Sequence, residues 1–119
     1  MKVLLVDDEE KFVSILAERL SIRGIDAEWA TTSSEALLKV KSKNYDVAIL
    51  DVKMPQISGL ELKRKFEKIN PAMKYILVTG HGSSEEYAKG IAEASFYIIK
   101  PFKIEFLIEK IREITGTQS

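Results

Sequence analysis

The feature that most constrains this chain is a fivefold alternation between short apolar runs and segments with helical spacing. The runs are Val3 to Val6, Ile25 to Ala30, Val47 to Leu50, Tyr75 to Val78 and Phe96 to Ile99, each of strand length and rich in β-branched or aromatic residues. Between and after them lie Phe12, Ile15, Leu16 and Leu20; Leu37 and Val40; Leu62, Phe66 and Ile69; Tyr87, Ile91 and Ala94; and Leu107, Ile108, Ile111 and Ile114, each set able to share one helix face. Thr32 with Glu35 and Ser83 with Glu86 have capping-box spacing, while Gly24 and Asn44 stand where C-terminal caps are expected. Strands one, three and four are apolar nearly throughout, as strands covered on both faces are, and strand two alternates as an edge would. With right-handed crossovers this predicts an α/β, three-layer, doubly wound (βα)5 domain around a five-stranded parallel sheet.

At 119 residues the chain has room for one such domain, spanning 1–119. The tail Gly116 to Ser119 follows the fifth helical segment at once, so the chain either ends there or continues as part of a longer protein. Lysine plus arginine and aspartate plus glutamate number 18 each, which leaves no net field for nucleic acid or an anionic membrane and disfavours direct DNA binding. The absence of cysteine removes disulfides, thiol catalysis and thiolate metal sites. The apolar start runs into Asp7, Asp8, Glu9 and Glu10, too short and too acidic for a signal peptide or membrane span, so the expected location is cytoplasmic.

In open parallel sheets ligands bind beyond the carboxyl ends of the strands. Here the first strand hands over to Asp7 and Asp8, the third to Asp51, the fourth to Thr79 and the fifth to Lys100. Singly, each has an ordinary explanation: an acidic pair at a helix N-terminus, a turn aspartate before Met54-Pro55, a turn hydroxyl, a solvated lysine. Jointly, neighbouring strands would crowd three carboxylates at one rim, raising the pKa of at least one and calling for a cation. Lys100 supplies one charge. A hard divalent ion suits the all-oxygen set, and Mg²⁺ typically takes one or two carboxylates, waters and a phosphate oxygen. Such a site can stabilise a transferring phosphoryl group, and an ionised aspartate attacks it without a general base.

These residues resemble the receiver domains of two-component response regulators over the whole length of the chain. The resemblance rests on Val-Asp7-Asp8-Glu9, Leu-Asp51-Val-Lys53-Met54-Pro55 with Gly59, Thr79-Gly80, and Tyr97-Ile-Ile-Lys100-Pro101-Phe102. It implies flavodoxin-like topology with strand order 2-1-3-4-5 and Asp51 as phosphoacceptor. It further implies Mg²⁺ held by Asp8, Asp51 and the Lys53 backbone carbonyl, with Asp7 acting mainly through water. Lys100 would contact the phosphoryl group, Thr79 and Tyr97 would form the switch, Lys53 and His81 would tune the lifetime, and the Lys100-Pro101 bond would be cis. The implied donor is the phosphohistidine of a histidine kinase or phosphotransfer protein. The implied output, to an attached domain or a partner protein, runs through the face of helix four, strand five and helix five. The chain departs from the family in an interval from Thr79 to Lys100 one residue shorter than usual and in Glu93 at a customary glycine. Gly90 also falls inside the fourth helical segment, so contacts of that face do not carry over directly.

Three other readings compete with this one. Haloacid-dehalogenase-like phosphatases place a second aspartate where Lys53 stands, and a flavin-binding module wants a glycine- or hydroxyl-rich first loop instead of Asp-Asp-Glu-Glu. A receiver-shaped interaction module that works without phosphate would not need the full residue set. Trp29 reads as a partly buried packing residue, and Lys63, Arg64, Lys65 and Lys68 read as the wet face of the third helix.

Overall fold

The structure, a computed structural model, describes residues 1–80 and 96–116. In chain order the elements are β1 (Lys2–Val6), α1 (Glu10–Ile22), β2 (Asp26–Ala30), α2 (Ser33–Ser42), β3 (Val47–Asp51), α3 (Gly59–Ile69), β4 (Lys74–Thr79), β5 (Phe96–Ile99) and α4 (Ile104–Thr115). Helix α4 is the fifth helical segment of the sequence. The fourth, with Tyr87, Ile91 and the Ser83–Glu86 spacing, lies outside the described residues, as do Gly90, Glu93 and His81.

All five strands pair in parallel in the order β2-β1-β3-β4-β5, the expected topology. The central strands β1 and β3 are buried from Val3 to Val6 and from Val47 to Asp51, whereas β2 at the edge is buried fully only at Ala30. Period-two alternation splits the sheet between two cores. Val3, Leu5, Val47, Ile49, Ile76, Val78 and Ile98 pack against Leu16 and Leu20 of α1 and Leu107 and Ile111 of α4. Leu4, Val6, Ala48, Leu50, Tyr75 and Leu77 pack against Ala36 and Val40 of α2 and Leu62 and Phe66 of α3. Trp29 is partly buried against the first of these, as expected.

The helix ends show where local signals decide and where they do not. After α1, Gly24 sits at φ +84°, its N–H bonding the Ser21 carbonyl and that of Ile25 the Leu20 carbonyl, a Schellman closure that favours glycine. Thr32 caps α2 by accepting from the Glu35 N–H, and Glu35 reaches back to the N–H of Thr31, one residue before the usual partner. At the other end of α2 the cap is Lys43 in extended conformation, and Asn44 does not take the left-handed geometry its type suggested. A capping pair not marked in the sequence, Ser58 accepting from the Glu61 N–H, starts α3. The expectation for Lys63 is overturned. Instead of lying on the wet face of α3 it is 7% exposed, its stem folded in so that the amine lies 5.1 Å from the Tyr75 ring centre and 3.1 Å from Glu67.

Candidate functional site

Asp7, Asp51 and Lys100 reach the carboxyl rim of the sheet from three strands, and the alternation of side chains gives all three the same face. Asp7 continues the Val3, Leu5 series, Asp51 the Val47, Ile49 series and Lys100 the Phe96, Ile98 series, all directed toward α1 and α4. The backbone ladder is prolonged to hold them: Asp7 N–H bonds the Ala30 carbonyl at 3.2 Å and Lys100 N–H the Thr79 carbonyl at 2.7 Å. The Lys100-Pro101 peptide is cis, as expected. Thr79 and Tyr97 fall on the opposite face by the same count. Thr79 is fully buried and Tyr97 packs half-buried against the core shared with α2 and α3.

Asp7, Asp8 and Asp51 each offer a carboxylate oxygen, and these oxygens lie within 4.8 Å of one another. Asp7 and Asp51 are buried and Asp8 is exposed, so the cluster opens toward solvent on one side. Asp7 does not cap α1. Its Oδ1 instead accepts from the Glu9 N–H at 2.9 Å, and Glu9, the N-cap, makes no side-chain cap bond. Asp51 Oδ1 accepts from the Lys53 N–H at 3.1 Å. The loop after β3 turns back tightly enough that Gly59 N–H bonds the Val52 carbonyl, and a Cβ at Gly59 would fall on the Asp51 carbonyl group. Only glycine lets α3 begin so close to the acidic residue.

The amine of Lys100 binds Asp7 Oδ2 at 2.6 Å and Glu9 Oε1 at 3.2 Å, and lies 3.9 Å from Asp51 Oδ2. It also sits 4.4 Å from the centre of the Phe12 ring, which in turn packs edge-on against Phe102. Burial pushes the Asp51 carboxyl up to about 6, the charge of Asp7 adds to this and that of Asp8 adds less, while Lys100 and the Lys53 N–H pull it partly back. Burial alone would lower the pKa of Lys100, but the hydrogen bond and charge of Asp7, together with Glu9 and Asp51, outweigh it and raise the value. One ammonium among four carboxylates leaves a net negative pocket of hard oxygen donors, which suits a divalent cation of the Mg²⁺ kind.

The structure therefore brings together Asp7, Asp8, Asp51 and Lys100, leaves Thr79 and Tyr97 behind the rim on the other face, and places Lys53 at the mouth, exposed. His81 lies outside the described residues. Sequence reasoning missed Glu9 and Phe12 as neighbours of Lys100. In the sequence Glu9 stands in an acidic run and closes the Val-Asp7-Asp8-Glu9 motif, and Phe12 stands among the apolar positions of the first helix, with no local signal tying either to Lys100.

The sequence profile of the response regulator receiver domain matches residues 3–112. Response regulator MprA of Mycobacterium avium is 33% identical over 96% of this chain, which covers 50% of that protein. The chain thus spans about half the length of the curated relatives it matches. Among solved structures, a CheY-like response regulator receiver domain protein from Methanospirillum hungatei superposes with a TM-score of 0.89 at 35% identity, covering 97% of this chain and 93% of that one. The response regulator TrrA from Thermotoga maritima, in complex with Mg²⁺-BeF, superposes with a TM-score of 0.83 at 36% identity, covering 95% and 97%.

Proposed function

We propose that this chain, which belongs to the response regulator receiver domain family, is a phosphorylation-dependent switch that takes its phosphoryl group on Asp51. The observation that carries this reading is the grouping of Asp7, Asp8 and Asp51 within 4.8 Å at the sheet rim, with the Lys100 amine 3.9 Å from Asp51. At neutral pH an Asp51 carboxyl with a pKa of about 6 is mostly ionised, so it is a nucleophile without the help of a base. Its oxygen attacks the phosphorus of a phosphohistidine, the P–N bond breaks, and the electron pair stays on the donor imidazole. Mg²⁺ bound by Asp8, Asp51 and the Lys53 carbonyl, with Asp7 acting through water, would supply neutralising charge to the phosphoryl oxygens. Lys100 turns from Asp7 and Glu9 to the phosphoryl group and stabilises its negative charge.

Thr79 then bonds a phosphoryl oxygen and Tyr97 follows it inward, which reshapes the surface formed by β5 and α4. Ile99 of β5 and Phe106 of α4, 47% and 44% exposed, give that surface an apolar component suited to a partner. The chain catalyses its own phosphorylation and dephosphorylation and is not a turnover enzyme. Lys53 and His81 tune the lifetime by screening the acyl phosphate from water. The partners are a histidine kinase or phosphotransfer protein and an output domain or protein, with no direct nucleic-acid contact by this domain. No helix among the described residues is long and apolar enough to cross a membrane, and the working location is read as cytoplasmic.

The test is to incubate the purified chain with Mg²⁺ and a small-molecule phosphodonor and to weigh it intact. A phosphoryl-sized gain that disappears in Asp51→Asn supports the switch. No gain with any donor favours an interaction module, and multiple turnover of varied phosphate esters favours a phosphatase.

A further inference from the structure

We infer that Glu9 is a positioning residue that holds the Lys100 amine away from Asp51 in the resting protein, so that breaking this tether is part of the cost of capturing a phosphoryl group. The inference rests on the reading of Asp51 as acceptor and concerns what restrains its partner lysine. An ammonium has three N–H donors. In this chain Asp7 and Glu9 take two of them, at 2.6 and 3.2 Å, while Asp51 at 3.9 Å is beyond hydrogen-bond range. The Phe12 ring covers another side of the amine at 4.4 Å. All three of these holding groups come from the end of β1 and the start of α1, so Lys100 is gathered toward that loop and not toward the acceptor.

Glu9 is built for such a role. Its backbone is pinned, because its N–H bonds Asp7 Oδ1 and its carbonyl accepts the first helical bond from Val13. Its side chain is 66% exposed, so it can swing off Lys100 without rearranging the core. It also lies outside the group of carboxylates that cluster for a cation. Removing Asp7 would disturb both the cation site and the lysine, whereas removing the charge of Glu9 acts on the lysine and leaves those three oxygens in place.

The experiment compares the full chain with Glu9→Gln, which keeps the size and an acceptor oxygen, and with Glu10→Gln, which removes an equal charge one residue further on. Two quantities are measured with saturating Mg²⁺: the rate of phosphorylation by acetyl phosphate, followed by intact mass, and the affinity for beryllofluoride, followed by calorimetry. Glu9→Gln is expected to raise both by about two- to five-fold, the range set by losing a largely exposed ion pair. Glu10→Gln is expected to match the wild type, and the effect of Glu9→Gln is expected to vanish in a Lys100→Ala background. Equal effects of the two glutamines would assign the change to bulk charge and overturn the inference. So would an effect that persists without Lys100, or a fall in rate. A wild-type chain that takes neither phosphoryl group nor beryllofluoride would instead overturn the reading of Asp51 itself.

Discussion

Asp51→Asn is expected to stabilise the metal-free protein at neutral pH, because the native state keeps this carboxylate buried beside Asp7. Its pKa in the fold is about 6 against an ordinary 3.8. Between these two values the folded chain holds a proton that the unfolded chain has released, so stability falls as pH rises through that window and stays depressed above it. At about 1.4 kcal/mol per pH unit the full penalty is about 3 kcal/mol, and partial relaxation of the rim by water would reduce it to about half. Asparagine removes the penalty and keeps an oxygen for the Lys53 N–H. For a chain of this length 1 kcal/mol is worth about 4 °C in Tm, so the variant should melt about 6 to 12 °C higher. The assay is thermal unfolding by circular dichroism in chelator, repeated from about pH 7.5 down to about pH 4. The gap should level off above about pH 7 and close toward about pH 4, and adding Mg²⁺ should narrow it by stabilising only the wild type. An Asp51→Asn protein no more stable than wild type in chelator, or a gap that does not respond to pH, would refute the electrostatic account.

Gly59→Ala should cost about 2 kcal/mol or more in urea unfolding, since its methyl meets the Asp51 backbone and not a yielding side chain. Glu28 accepts from Lys43 at 2.9 Å and from Tyr45 at 2.8 Å. The Lys43 bond, opposed by burial and aided by Tyr45, takes its pKa to about 2 from an ordinary 4.5. The resulting stabilisation is present above pH 4.5 and lost as pH falls toward 2, so Glu28→Gln should cost about 1 kcal/mol at neutral pH and little in acid, as read by melts at the two pH values. Gln56 sits at φ +73° in a turn closed by the Ile57 N–H on the Pro55 carbonyl, and Gln56→Gly should gain up to about 1 kcal/mol in urea unfolding.

The sheet was legible because its signals are local and redundant. Unbroken apolar runs in β1, β3 and β4 mark buried strands, and the polar residue that follows each marks the rim. The meeting of Asp7, Asp8 and Asp51 followed once the strands were ordered. What escaped depended on contacts between distant segments. Glu9 joins the site only because Lys100, 91 residues away, arrives beside it. Lys63 adjoins the apolar stripe of Leu62 and Phe66, and nothing in the spacing tells that its stem folds over Tyr75. Asn44 had the right residue type for a left-handed cap, but Lys43 closes the helix in extended form and the chain leaves without it.

The assignment of Asp7, Asp51 and Lys100 to one side of the sheet and Thr79 and Tyr97 to the other sets a rule for how such a chain can change length. Deleting Phe96, so that the stretch from Tyr97 to Lys100 slides back by one place, would exchange the sides of Tyr97 and Lys100, leaving an aromatic ring among the carboxylates and an ammonium in the α2–α3 core. Insertions at the far rim, in the 43–46 and 70–73 connections, carry no such parity. Drift in length should therefore collect at the amino ends of these strands, while the carboxyl ends admit changes only in pairs.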